Sequence, residues 1–66
     1  MEPRRDEHWI ADVEMYPGEH STRRIVWIYF VKDDGDIGFC LIGDDGVYWV
    51  SQVERFNLIR RIEMGD

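Results

Sequence analysis

Two hydropathy patterns recur along this chain, one alternating with the two-residue period of a half-buried strand and one continuously apolar. From Trp9 to Met15 the segment WIADVEM sets Trp9, Ala11, Val13 and Met15 against Ile10, Asp12 and Glu14, the pattern of a half-buried strand. Pro17-Gly18 closes it and opens a polar loop reaching Thr22. From Ile25 to Val31 every residue is apolar, as in strands covered on both faces. Two further short apolar runs follow, Ile37–Ile42 (with Gly38 inside it as a bulge or a point of close approach) and Val47–Val50. Asp33-Asp34-Gly35 and Asp44-Asp45-Gly46 separate the three runs, and Asp-Gly between hydrophobic segments is a strong hairpin signal. The centre of the chain therefore predicts a three-stranded antiparallel meander.

Beyond Val50 the pattern changes again. Ser51-Gln52-Val53-Glu54 has the spacing of a capping box, and Val53, Phe56, Leu58, Ile59 and Ile62 are too widely spread around a helical wheel for a long helix. We read one short helical turn over Ser51–Arg55, then a last strand from Asn57 to Glu63. Four strands, a helical turn and a fifth strand make an all-β, mainly antiparallel chain. That order resembles the small SH3-like and Sm-like barrels, and the resemblance implies a five-stranded barrel built around the central meander. It is a likeness of architecture, carried by no signature motif and bringing no functional residue with it.

Turn length decides which side chains share a face. Two-residue turns would set Phe30 opposite Phe39, Ile28 opposite Leu41, and Leu41 opposite Tyr48 or Val50. One face then holds Val26, Ile28, Phe30, Ile37, Phe39, Leu41, Tyr48 and Val50, and is expected to be the core. The other holds Ile25, Trp27, Tyr29, Val31, Cys40, Ile42, Val47 and Trp49. A three-residue turn would reverse the parity of one strand. The second face is either covered by the first strand or the last segment, or it is an aromatic contact surface of the kind enriched at interfaces.

Composition narrows the functional classes. The chain has 66 residues, 44% hydrophobic and 14% aromatic, so a single domain over 8–64 with tails at 1–7 and 65–66 is expected. One cysteine, Cys40, allows no internal disulfide and suggests a reducing compartment, the cytoplasm of the producing cell or of an infected host. No apolar run of membrane-spanning length and no signal-peptide pattern is present. The net charge of −6 disfavours phosphate backbones and favours a basic protein partner, such as a nucleic-acid-binding protein.

Candidate chemistry is sparse. The five aspartates of the two turns lack EF-hand spacing, and strand length would hold the two clusters roughly 20 Å apart, so no metal site is expected. His8, His20 and Cys40 signal neither a catalytic pair nor a zinc site, and the glycines follow no phosphate-loop spacing. We therefore expect no catalytic residue and no cofactor. The expected function is a non-enzymatic interaction module, an adaptor or an inhibitor, one version being a virus-encoded nucleic-acid mimic. Its binding residues are Trp27, Tyr29, Cys40, Ile42 and Trp49, with Asp44 and Asp45 at the rim. The alternative is a barrel that stacks single-stranded DNA or RNA on its aromatics beside Arg24 and Arg60 or Arg61. Homodimerisation is a further expectation.

Overall fold

The computed structural model describes residues 2–63; Met64 and the expected tail at 65–66 lie outside the described residues. Five strands form one antiparallel sheet: β1 (His8–Glu14), β2 (Thr22–Val31), β3 (Ile37–Leu41), β4 (Tyr48–Trp49) and β5 (Arg55–Ile62). Their spatial order is β4-β3-β2-β1-β5, so the meander β2–β3–β4 lies on one side of β1 and the last strand on the other. Among the described residues no pairing joins β4 to β5, and the sheet is not closed into a barrel by hydrogen bonds. It curls enough for Phe56 of β5 to stack on Phe39 of β3, ring centroids 4.6 Å apart.

The alternation of β1 has the expected consequence. Trp9, Ala11 and Val13 are buried on one side, together with Val26 and Ile28 of β2 and Phe39 and Leu41 of β3. Met15, Val31, Ile37, Tyr48, Val50, Val53, Phe56 and Leu58 pack partly buried around these seven. Ahead of β1, Asp6 donates its N–H to the Ile28 carbonyl at 2.8 Å, and the Ile28 N–H returns to Glu7, also at 2.8 Å. The ladder thus reaches into the segment expected as a tail.

The first Asp-Asp-Gly turn differs from expectation by one residue. Lys32 and Asp36 close the hairpin, with Asp33, Asp34 and Gly35 between them, and Gly35 takes a φ of 93°. Three-residue hairpin loops need such a left-handed residue, which glycine supplies without steric cost. A regular strand continuing from this turn would set Cys40 opposite Ile28 and point Phe39 away from the core. Instead the register shifts between Ile28 and Phe30, leaving Tyr29 as an extra residue, and Ile28 pairs with Phe39 and Val26 with Leu41. The bulge offsets the turn. It also swaps the expected faces of two residues: Phe30 turns outward, 43% exposed, and Val31 turns in against the core.

The second triplet is not a hairpin tip. The chain turns earlier, at Leu41–Asp44, where Asp44 donates its N–H to the Leu41 carbonyl and Gly43 has φ 93°. Tyr48 consequently faces Phe39, and neither Tyr48 nor Val50 faces Leu41. The helical turn is a 3-10 turn at Val50–Gln52 with no side-chain cap, in place of the expected Ser51–Arg55 with its capping box. Ser51 is otherwise engaged: its hydroxyl donates to Asp36 Oδ2 at 2.7 Å and its N–H to Asp36 Oδ1 at 3.1 Å. A carboxylate from the β2–β3 turn outcompetes Glu54 for this group.

Candidate functional site

Among the described residues no strand crosses the face of the sheet turned away from the core. Register gives its layout row by row. Trp49 of β4 lies opposite Gly38 of β3, which lies opposite Phe30 of β2. In the next row Cys40, Trp27, His8 and Ile62 succeed one another across four strands. Beyond it come Ile25, Ile10 and Arg60, then Arg23, Asp12 and Asn57. Tyr29, displaced by the bulge, meets the Trp27 ring edge-on, with centroids 5.9 Å apart at 68°.

Trp49 keeps its place because Gly38 has no side chain. A Cβ there would come within 3.1 Å of two carbons of the indole, so the ring lies directly on the β3 backbone. The Lys32 ammonium sits above the same ring, 4.4 Å from its centroid, where the π-face attracts a cation. Tyr29, Phe30, Ile25 and Ile42 are exposed around this centre, while Trp27, Cys40 and Trp49 are half-buried.

Charge is divided between the sheet and its ends. The strands carry five arginines and two carboxylates, which leaves the loops and terminal segments to bear the whole negative excess. On the open face both carboxylates are already paired, Asp12 with Arg23 at 3.0 Å and Glu14 with Arg55 at 4.0 Å. The Asp12 carboxylate raises the Arg23 pKa further above its ordinary value.

Trp27, Tyr29, Cys40, Ile42 and Trp49 therefore share one face, whereas Asp44 does not join them. Asp44 Oδ2 accepts the Tyr48 hydroxyl at 2.9 Å, on the core side of the sheet, and Asp44 Oδ1 accepts the Gly46 N–H. The Tyr48 bond lowers the Asp44 pKa and raises that of the tyrosine. Asp36 is lowered likewise, chiefly by the Ser51 hydroxyl. Phe30 and Lys32 belong to the open face and escaped sequence reasoning. The bulge that exposes Phe30 has no signal in an unbroken apolar run, although Gly38 marked the close approach that seats Trp49.

On the other side of the molecule Glu7 gathers three donors: the Arg4 N–H at 2.8 Å, the Trp9 indole N–H at 3.1 Å and Arg61 at 3.1 Å. The Arg4 amide is the main cause of its lowered pKa. The shallow depression beside it, lined by Asp6, Glu7, His8 and Arg61, is open to solvent. Among the described residues no cluster of three or more His, Cys, Asp or Glu side chains could hold a metal ion, and no helix is long and apolar enough to cross a membrane. The chain matches no known protein family, no curated protein and no solved structure.

Proposed function

We propose that this chain is a non-enzymatic protein–protein interaction module, an adaptor or inhibitor, that docks a partner on the open face of its sheet. The observation that carries this reading is the contiguous apolar surface of Ile25, Trp27, Tyr29, Phe30, Ile42 and Trp49 on the side away from the core. Exposed patches of that kind mark interaction sites, and aromatic side chains supply much of the affinity at them. The acidic loops lie at the ends of the sheet, where they would steer a basic flank of the partner and add to the association rate. The strand order and the single 3-10 turn before the last strand support an SH3-like or Sm-like barrel as the scaffold. The setting we propose is the cytoplasm of the producing cell or of an infected host.

Trp49→Ala and Tyr29→Arg alter the face without touching the buried core. A partner captured by the wild-type chain should be lost from both variants while their melting curves stay close to wild type. Equal capture by all three would overturn the reading, and collapse of the fold in Trp49→Ala would make that residue part of the core. The mimicry version adds a further expectation, binding that weakens steeply with salt and competes with nucleic acid for the partner.

A second reading rests on Lys32 above Trp49 and on the pairing of both carboxylates of the face, which together leave an aromatic surface with an available cation. Such a surface could stack single-stranded DNA or RNA. Titration of the tryptophan fluorescence with oligonucleotides at low salt decides it, and absence of quenching removes it. Homodimerisation through the same face would show as a doubled mass in sedimentation.

A further inference from the structure

β5 offers a second surface, distinct from the open face. It is the last strand of the sheet, paired with β1 along one side and with no strand of the described residues along the other. Eight residues of extended chain therefore leave a row of backbone N–H and C=O groups facing solvent, a template for another strand. Proteins usually blunt such edges, and here the blunting has a sign. β5 contains Arg55, Arg60 and Arg61 and no carboxylate, in a chain whose net charge is −6. Two copies meeting edge to edge along β5 would bring arginines together, whereas an acidic strand would be attracted.

The two sides of β5 also differ in character. Phe56 and Leu58 point to the core side and are only partly covered. Arg55, Asn57 and Arg60 lie opposite Glu14, Asp12 and Ile10 on the other side and are exposed. Arg61 is held by Glu7 and Glu63, Arg55 reaches Glu14 only at 4.0 Å, and Arg60 has no ion-pair partner among the described residues. β5 carries one extra residue, Ile59, where its pairing with β1 steps from Leu58 to Arg60, and this bulge keeps Arg60 on the same side as Arg55 and Asn57. An incoming strand alternates its side chains between the same two sides.

We propose that the free edge of β5 accepts an extended segment of a partner protein in which apolar residues alternate with Asp or Glu. Backbone hydrogen bonds extend the sheet to a sixth strand, the usual source of affinity in strand addition. The apolar side chains continue the cover over Phe56 and Leu58, and the carboxylates meet Arg55 and Arg60.

The test uses the full chain, labelled with nitrogen-15, and a capped octapeptide of alternating valine and glutamate. Expected are shifts and slowed amide exchange concentrated in β5, abolished when the peptide is N-methylated along its bonding edge. Arg60→Glu, an exposed substitution whose fold is checked from the same spectra, should weaken binding at least tenfold. The proposal is overturned if no shifts occur, if they centre on Trp27 and Tyr29, or if N-methylation leaves the affinity unchanged. A free chain that sediments as a dimer with β5 amides already protected also overturns it, because the edge would then belong to a second copy.

Discussion

Gly38 and Trp49 show how far a single atom decides the surface of this protein. The indole rests on β3 only because position 38 lacks a Cβ, which would otherwise approach it to 3.1 Å. Alanine there requires the ring to give by a few tenths of an ångström, and valine requires it to lift. Gly38→Val should therefore cost about 1–3 kcal/mol and shift the tryptophan emission to the red, as denaturant titration and fluorescence would record. Asp36 is the second decisive residue, since its carboxylate joins the β2–β3 turn to the 3-10 turn through Ser51 and also accepts the Ile37 N–H at the start of β3. These bonds lower its pKa, so their contribution is complete above the ordinary carboxylate range, about pH 4, and is lost as pH falls through the lowered value. Ser51→Ala should consequently be less stable than wild type at neutral pH and approach it as the pH falls through the lowered Asp36 value, a convergence that parallel denaturant titrations would reveal.

At the scale of the element, the β2–β3 hairpin holds two irregularities that offset each other. The three-residue turn would face Phe39 outward, and the extra residue at Tyr29 turns it back. Removing Tyr29 should let the strand become regular with every cross-strand pair kept, so that deletion should be tolerated. Removing Trp27, two positions earlier in the regular part, should rotate Val26 to the open face and unfold the chain. Thermal denaturation of the two deletions tests this, and equal damage from both would show that the bulge absorbs nothing. Within the turn itself, Gly35→Ala should cost about 1 kcal/mol because its φ of 93° disfavours any side chain.

For the whole molecule, one sheet supports two apolar sides with a very small fully buried core of seven residues. A chain of this length commands only roughly 3–10 kcal/mol of stability, and Ile28→Ala, at the centre of the core, should remove about 2–5 of it. That variant is expected to melt well below wild type by circular dichroism, while Ile42→Ala, 50% exposed on the open face, should melt close to wild type.

Local pattern carried the strands because burial on one side of a strand demands a two-residue alternation, which β1 displays openly in Trp9, Ala11 and Val13. The same logic placed Val26, Ile28, Phe39 and Leu41 together, and left Trp27, Cys40 and Trp49 on the other side. Phe30 and Val31 were out of reach, since a bulge inside a wholly apolar run alters no residue type and only the pairing with Gly38 and Ile37 exposes it. The second Asp-Asp-Gly misled for a related reason: Gly43 offers a left-handed position three residues before Gly46, and Tyr48 gains by meeting Phe39. The capping box failed because a carboxylate distant in sequence reached Ser51 first.

The sequence by itself thus determined the all-β class, the approximate strands and the existence of two apolar faces, because these follow from periodicity and turn chemistry acting over a few residues. Only the tertiary structure decided the register, the side on which the core lies, the turning of Asp44 away from the aromatic face, and the free edge of β5. Each of those depends on which strands become neighbours, and that is settled by the summed burial and hydrogen bonding of residues far apart in the chain.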